Sequence, residues 1–219
     1  MVVAGIVSCI FTAATEAGPL INKHLPEQIQ ADLEVRYRLE YRNNFDFNDS
    51  REDEDAFHLQ RTRLNLTYKP VKELGFFIQG QDSRIWEADT VNKALFENFM
   101  DIRQLYVNYE DAVLFEPLQM NKLSLRAGRQ EFSFGAQRLI GGFNWSNIAQ
   151  TFDGGKIGFH FVPAHLQLDF FGGEKTPIKS PREFDDLFDA SSKDRVIGYY
   201  ATAKAFDETL IENYLIHRE

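Results

Sequence analysis

The sequence predicts an all-β protein, an antiparallel barrel that crosses a membrane on its strands. Three observations lead there. Segment after segment alternates apolar and polar residues with a period of two. The connections between these segments are alternately short and long, the layout of barrels with tight turns on one rim and extended loops on the other. The chain also holds 20 Phe and 8 Tyr among 219 residues although its mean hydropathy is −0.37. A membrane barrel with aromatic girdles around a charged interior produces that combination, as does a soluble β-sandwich with a Phe-rich core.

Composition excludes several alternatives. Past the N-terminus there is no run of about 18 apolar residues, which excludes a helical membrane protein. A net charge of −9 argues against nucleic acid as a partner, because phosphate binding needs a basic face. The single Cys9 supports neither a disulfide framework nor a paired-cysteine metal site. His24, His58, His160, His165 and His217 are scattered, with no Ser/His/Asp order and no His-x-x-x-His pair, so no enzyme site, metal or cofactor is expected. Gly141-Gly142 and Gly154-Gly155 lack the Gly-Lys-Ser/Thr of a phosphate loop. They suggest sharp bends at strand tops.

Taken in order, residues 1–17 (MVVAGIVSCIFTAATEA) are small, apolar and too short to span a bilayer. They are expected to be a secretory signal without the usual basic start, cleaved after Ala14 or Ala17. Residues 18–30 form a polar lead-in, and 31–219 the barrel part. Leu33, Val35, Tyr37, Leu39 and Tyr41 alternate with Glu34, Arg36, Arg38, Glu40 and Arg42. Such a strand has one apolar face; in a membrane barrel its charged face must be the lumen, since Lys or Arg facing lipid at the midplane costs about 2–4 kcal/mol. The same pattern returns at Thr62–Tyr68, Leu74–Trp86, Gln104–Tyr109, Leu123–Gly128, Lys156–Phe161, Leu166–Phe171 and Ile197–Ala203. With a last strand at Leu210–Ile216, about nine strands are present. Asp46–Asp55 and Gly172–Asp194 read as acidic external loops, and the connection from Glu110 to Lys122 is longer than a tight turn.

The run Gly128-Arg129-Gln130-Glu131, then Gly135, Gln137-Arg138-Leu139-Ile140-Gly141, Trp145 and Phe152-Asp153-Gly154 resembles the signature of the alginate-export family of outer-membrane β-barrels. Gln60–Leu66 (QRTRLNL), Gln79–Trp86 (QGQDSRIW) and Asp101–Tyr109 are similar to further elements of that family, in the same order. The resemblance covers roughly Leu33–Phe161. It implies a barrel of about 18 strands in the outer membrane of a Gram-negative bacterium, carrying anionic oligo- or polysaccharide through an arginine-lined constriction. The chain holds about half of such a barrel and is expected to be a fragment of it.

Arg36, Arg38, Arg42, Arg61, Arg63, Arg126 and Lys156 lie on the polar face by alternation; Arg84, Arg103, Arg129 and Arg138 lie near strand ends or in loops. Rings of arginine select anions, because guanidinium stays charged and pairs with carboxylates in bidentate fashion. The other reading is that these cations pair with Glu34, Glu40, Glu131 and Asp169 and simply fill the wall. By family shape, Leu139–Trp145, with Arg138, Gly141, Gly142 and Trp145, is expected to fold inward over the pore. Phe132, Phe134, Phe143, Trp145, Trp86 and Tyr199 are expected mostly in an interface girdle or in loop packing. The function expected is passive, charge-selective passage of anionic saccharide, with outer-membrane lipid, lipopolysaccharide and periplasmic secretion proteins as partners. A porin for small anionic or aromatic solutes and a cell-surface binding or structural β-protein are the alternatives.

Overall fold

The computed structural model describes residues 5–13, 17–45, 47–48, 50, 53–112, 120–161, 164–178, 194–205 and 209–219. They build one antiparallel meander of ten strands in chain order. These are β1 (Gly5–Ala13), β2 (Ile29–Asn43), β3 (Asp55–Tyr68), β4 (Leu74–Trp86), β5 (Asn98–Asp111), β6 (Lys122–Gln130), β7 (Phe152–Phe161), β8 (Leu166–Lys175), β9 (Arg195–Ala205) and β10 (Thr209–Arg218). A short helix α1 (Ala17–Asn22) lies between β1 and β2. Strands β2–β10 are the nine that alternation marks. The tenth, β1, is drawn from the stretch expected to be a signal and pairs with β2 from Gly5↔Asn43 to Ala13↔Val35. Among the described residues β1 and β10 each have one strand neighbour, so the sheet keeps two edges.

Period-two alternation gives the sheet two unlike faces. Leu64, Leu66, Tyr68, Phe76, Trp86, Leu125, Ile157, Phe170 and Ile197 stand on an open face and are exposed. Arg36, Arg38, Arg61, Arg63, Gln79, Gln81 and Ser83 stand on the other face and are buried, because the β6–β7 connection lies across them. In a meander, successive connections fall on opposite rims. The connections at 44–54, 87–97, 131–151 and 176–194 therefore share one rim, and those at 14–28, 69–73, 112–121, 162–165 and 206–208 share the other. In that second group 14–28, which holds α1, and 112–121 are longer than tight turns. Most of the expected Gly172–Asp194 loop, 179–193, falls outside the described residues.

Four strands reach four or more residues further toward the long-loop rim than alternation marks. β3 begins at Asp55, β5 at Asn98 and β7 at Phe152, and β8 continues to Lys175. Gly154 and Gly155 are therefore ladder residues, paired with Gly128 and Ala127, and not loop bends. Near this rim the covered face itself turns apolar, so the strand pattern loses its contrast or, in β3, inverts it. Phe57, Leu59, Ile85 and Ala88 form one buried cluster there, with Val91 and Phe96 against it. Phe132, Ile140, Phe152, Phe171, Val196 and Tyr200 form the other. Phe132 and Phe134 belong to this interior, not to an outward girdle: Phe132 is 1% exposed, and Phe134 stacks on Tyr200 with centroids 5.0 Å apart.

Two irregularities adjust the ladder. The β4–β5 register shifts between Gln79 and Gly80 and again between Gln81 and Ser83, and Arg103 and Gln104 are consequently both buried. At Gly128, φ is +124° and a Cβ atom would stand 2.3 Å from the Leu105 carbonyl oxygen. Only glycine meets both demands.

Candidate functional site

The densest concentration of charge in the sheet is on the covered face of β2, β3 and β5. In the β2–β3 register Arg36 stands opposite Arg61, and Glu34 opposite Arg63. Like charges directly across a ladder repel, so this arrangement requires compensation from elsewhere. It comes from the backbone of the β6–β7 connection. Arg36 donates to the Asn144 carbonyl at 2.6 Å and the Ser146 carbonyl at 2.9 Å. Arg61 donates to the same two oxygens at 2.9 and 3.2 Å. Arg38 donates to the Trp145 carbonyl at 2.7 Å, and Arg63 to the Asn144 side-chain oxygen at 3.0 Å.

Neutral residues of β4 continue the seam. Gln81 donates to the Ile148 carbonyl at 2.8 Å and Ser83 to the Asn147 carbonyl at 2.9 Å. Asn147, wholly buried, returns the bonding: its amide faces the carbonyls of Gln60, Arg84 and Phe96 at 3.1, 3.1 and 2.9 Å. Residues 144–148 are thereby fixed against the sheet on both sides. The first half of the same connection is held differently, by aromatic contact with β7–β9: Phe132 against Phe152 and Phe171, and Phe134 against Phe171 and Tyr200. One connection thus covers both flanks of the sheet.

The carboxylates of this region only partly neutralise it. Glu34 pairs with Arg61 at 2.5 Å and lies 3.6 Å from Arg63. Glu40 pairs with Arg38 and Arg42 at 2.7 and 2.8 Å, and Glu131 pairs with Arg103. Among the described residues Arg36 has no ion-pair partner; its hydrogen bonds go to loop oxygens. Nε of Arg38, Arg61 and Arg103 and Nη2 of Arg63 are buried without a hydrogen-bond partner. Guanidinium groups outnumber carboxylates, and the site carries positive charge.

The remaining candidates are distributed as follows. Arg103 donates to Gln79 Oε1 at 2.6 Å. Arg129, 1% exposed, makes a two-point pair with Asp153 at 2.9 and 3.0 Å. Arg126 lies over the Tyr106 ring, 4.3 Å from its centroid, and Lys156 lies 4.0 Å from Asp169. Arg84 does not join them. Its neighbours Ser83 and Ile85 are buried while it is exposed, so it stands on the open face, paired with Asp82 at 2.7 Å and placed over Phe99. Gly141, Gly142, Arg138 and Trp145 all lie in the inserted connection, and the Arg38 guanidinium sits over the Trp145 ring at 4.4 Å. Gly142 serves by lack of bulk: a Cβ there would stand 2.6 Å from the Glu131 carboxylate. Sequence reasoning missed Asn147, Gln81 and Ser83. Gln79, Gln81 and Ser83 do share the polar phase of β4, which is the one signal that marks them. Among the described residues no His, Cys, Asp and Glu cluster could hold a metal ion, and no helix is long and apolar enough to cross a membrane.

An all-antiparallel sheet with an apolar open face, a cationic covered face and its long connections on one rim is consistent with part of an outer-membrane barrel wall. The model of the alginate export family matches residues 27–219, and the chain belongs to that family. No curated protein and no solved structure matches it.

Proposed function

We propose that this sheet is wall of an outer-membrane channel through which an anionic saccharide passes passively, selected by charge. The observation that carries this reading is the surplus of guanidinium charge on the covered face, centred on Arg36, Arg38, Arg61, Arg63 and Arg103. Arg36, Arg38, Arg61 and Arg63 are buried under residues 144–148, and Arg103 is buried against Gln79 and Glu131, so they act through their field and by fixing the loop that narrows the path. Buried charges are screened by salt far less than exposed ones, which suits a field that must reach a passing polyanion. Arg126 and Lys156, half-buried on β6 and β7, extend the cationic face beyond the loop's anchor. Family membership supplies the substrate class, a carboxylate-bearing polysaccharide. Lipid meets the apolar open face, and the gradient of the solute or periplasmic secretion proteins supply the drive.

Reversal potentials of the full-length protein in planar bilayers test this. Anion preference is expected, and it should fall in Arg63→Ala and Arg126→Ala variants. Unchanged potentials in both variants would assign these arginines to wall ion pairs.

A further inference from the structure

A second polar feature lies away from the arginine seam, between the first half of the inserted connection and β9–β10. Phe134, Tyr200 and Tyr214 form a continuous stack, with centroids 5.0 and 5.5 Å apart and planes within 16° and 8° of parallel. In the β9–β10 register Tyr214 stands opposite Tyr200 and Glu212 opposite Thr202, which puts both on the covered face. The stack borders a cavity of about 350 Å³, shared with Arg138 and Glu212. That is near the lower end of ligand-site volumes, about 300 Å³.

The cavity is shaped by particular residues. Tyr200 is 7% exposed and Tyr214 48%, so the stack offers one open ring surface at its end. The Tyr200 hydroxyl and the Glu212 carboxylate lie side by side next to Gly135. Gly135 (φ +51°) permits that pair, since a Cβ on it would stand 2.3 Å from the hydroxyl and 2.7 Å from the carboxylate. Arg138 is exposed, and the structure gives it no ion pair or hydrogen bond with any described residue. An aromatic face, a carboxylate and an uncommitted guanidinium converge on one small space.

We propose that this cavity is a saccharide subsite that holds one carboxylate-bearing pyranose unit. The C–H face of the sugar ring stacks on Tyr214, because an aromatic face is negative and attracts weakly positive C–H groups. Glu212 accepts a ring hydroxyl, and Arg138 pairs with the ring carboxylate. The proposal rests on the reading of the chain as a saccharide channel and adds a point where the chain of sugars is held between hops.

Titration calorimetry of the detergent-folded full-length protein with tetragalacturonic acid and with maltotetraose tests it. Wild type should bind both, the uronate more tightly. Tyr214→Ala should weaken both about tenfold, the scale of ring stacking on aromatic side chains, while Tyr214→Phe retains binding. Arg138→Gln should weaken only the uronate. Leu215→Ala, on the open face of the same strand, should change neither and serves as the folding control. Absence of binding by wild type, or unchanged binding of both sugars by Tyr214→Ala, overturns the subsite. If that happens while anion preference in bilayers persists, only the subsite fails. Lost anion preference with binding that still depends on Tyr214 would overturn the charge-selective channel alone.

Discussion

Asn147 shows how much can rest on one neutral side chain. Its amide reaches three strand or loop carbonyls, its backbone carbonyl accepts from Ser83, and its side-chain oxygen faces Arg36 at 3.5 Å. The Asn147 side chain is wholly buried, so water reaches the partners of a lost bond poorly. Asn147→Ala is expected to cost about 2 kcal/mol, the scale of leaving buried carbonyls unpaired, as read by urea unfolding in detergent. Asn147→Asp should cost more, because a carboxylate brings negative charge to the same three oxygens and has no proton to donate. Equal stability of the two variants would show that the amide's donation is not what holds the segment. Nothing in the sequence around Asn144-Trp145-Ser146-Asn147 announces this role, because most of what the arginines grip there is main-chain carbonyl, present at every residue. The arginines themselves were legible, since charge on one phase of a strand stands out against an apolar phase. Arg84 was not, because Asp82-Ser83-Arg84 is polar at both phases and its facing depends on the neighbours.

At the scale of elements, the connection 131–151 is held by two unlike chemistries, guanidinium-to-carbonyl bonds over β2–β4 and aromatic stacking over β7–β9. Loss of one anchor should loosen one half. Arg61→Ala removes two bonds to the loop and the pair with Glu34. Chymotrypsin should then cleave after Phe143 or Trp145 several-fold faster than in wild type, with the strands still folded. Arg84→Ala, on the open face, should leave the cleavage rate unchanged. Equal rates in Arg61→Ala and wild type would mean that the aromatic half suffices. The strands were read correctly in type and order because each separates apolar open-face residues from polar ones along most of its length. Their ends toward the long loops were read short for a physical reason: Phe171 and Val196 make the covered face apolar beside Phe170 and Ile197, which leaves no alternation to read, and at Phe57 and Leu59 the apolar phase crosses to the covered face.

For the whole molecule, the two sheet edges are what a transmembrane sheet cannot leave open to lipid. The edge of β2 is occupied by β1, whose sequence, with Ile6-Val7 and Ile10-Phe11 adjacent, lacks the alternation of β2. We propose that β1 is the export signal lying where a closing strand of the mature barrel belongs. N-terminal sequencing of protein recovered from outer membranes should therefore begin after Ala14 or Ala17; a mature chain that still carries Gly5–Ala13 would make β1 a wall strand. The inserted connection also fixes an order of assembly. Arg36 and Asn144 are 108 residues apart, and the aromatic half of the connection needs β8 and β9, which are made later. Such contacts close long loops, which is slow, so the connection settles on the sheet only when both flanks are already standing. In the channel proposed above, the pore is then at its widest before that step, and the lining that sorts solutes arrives last.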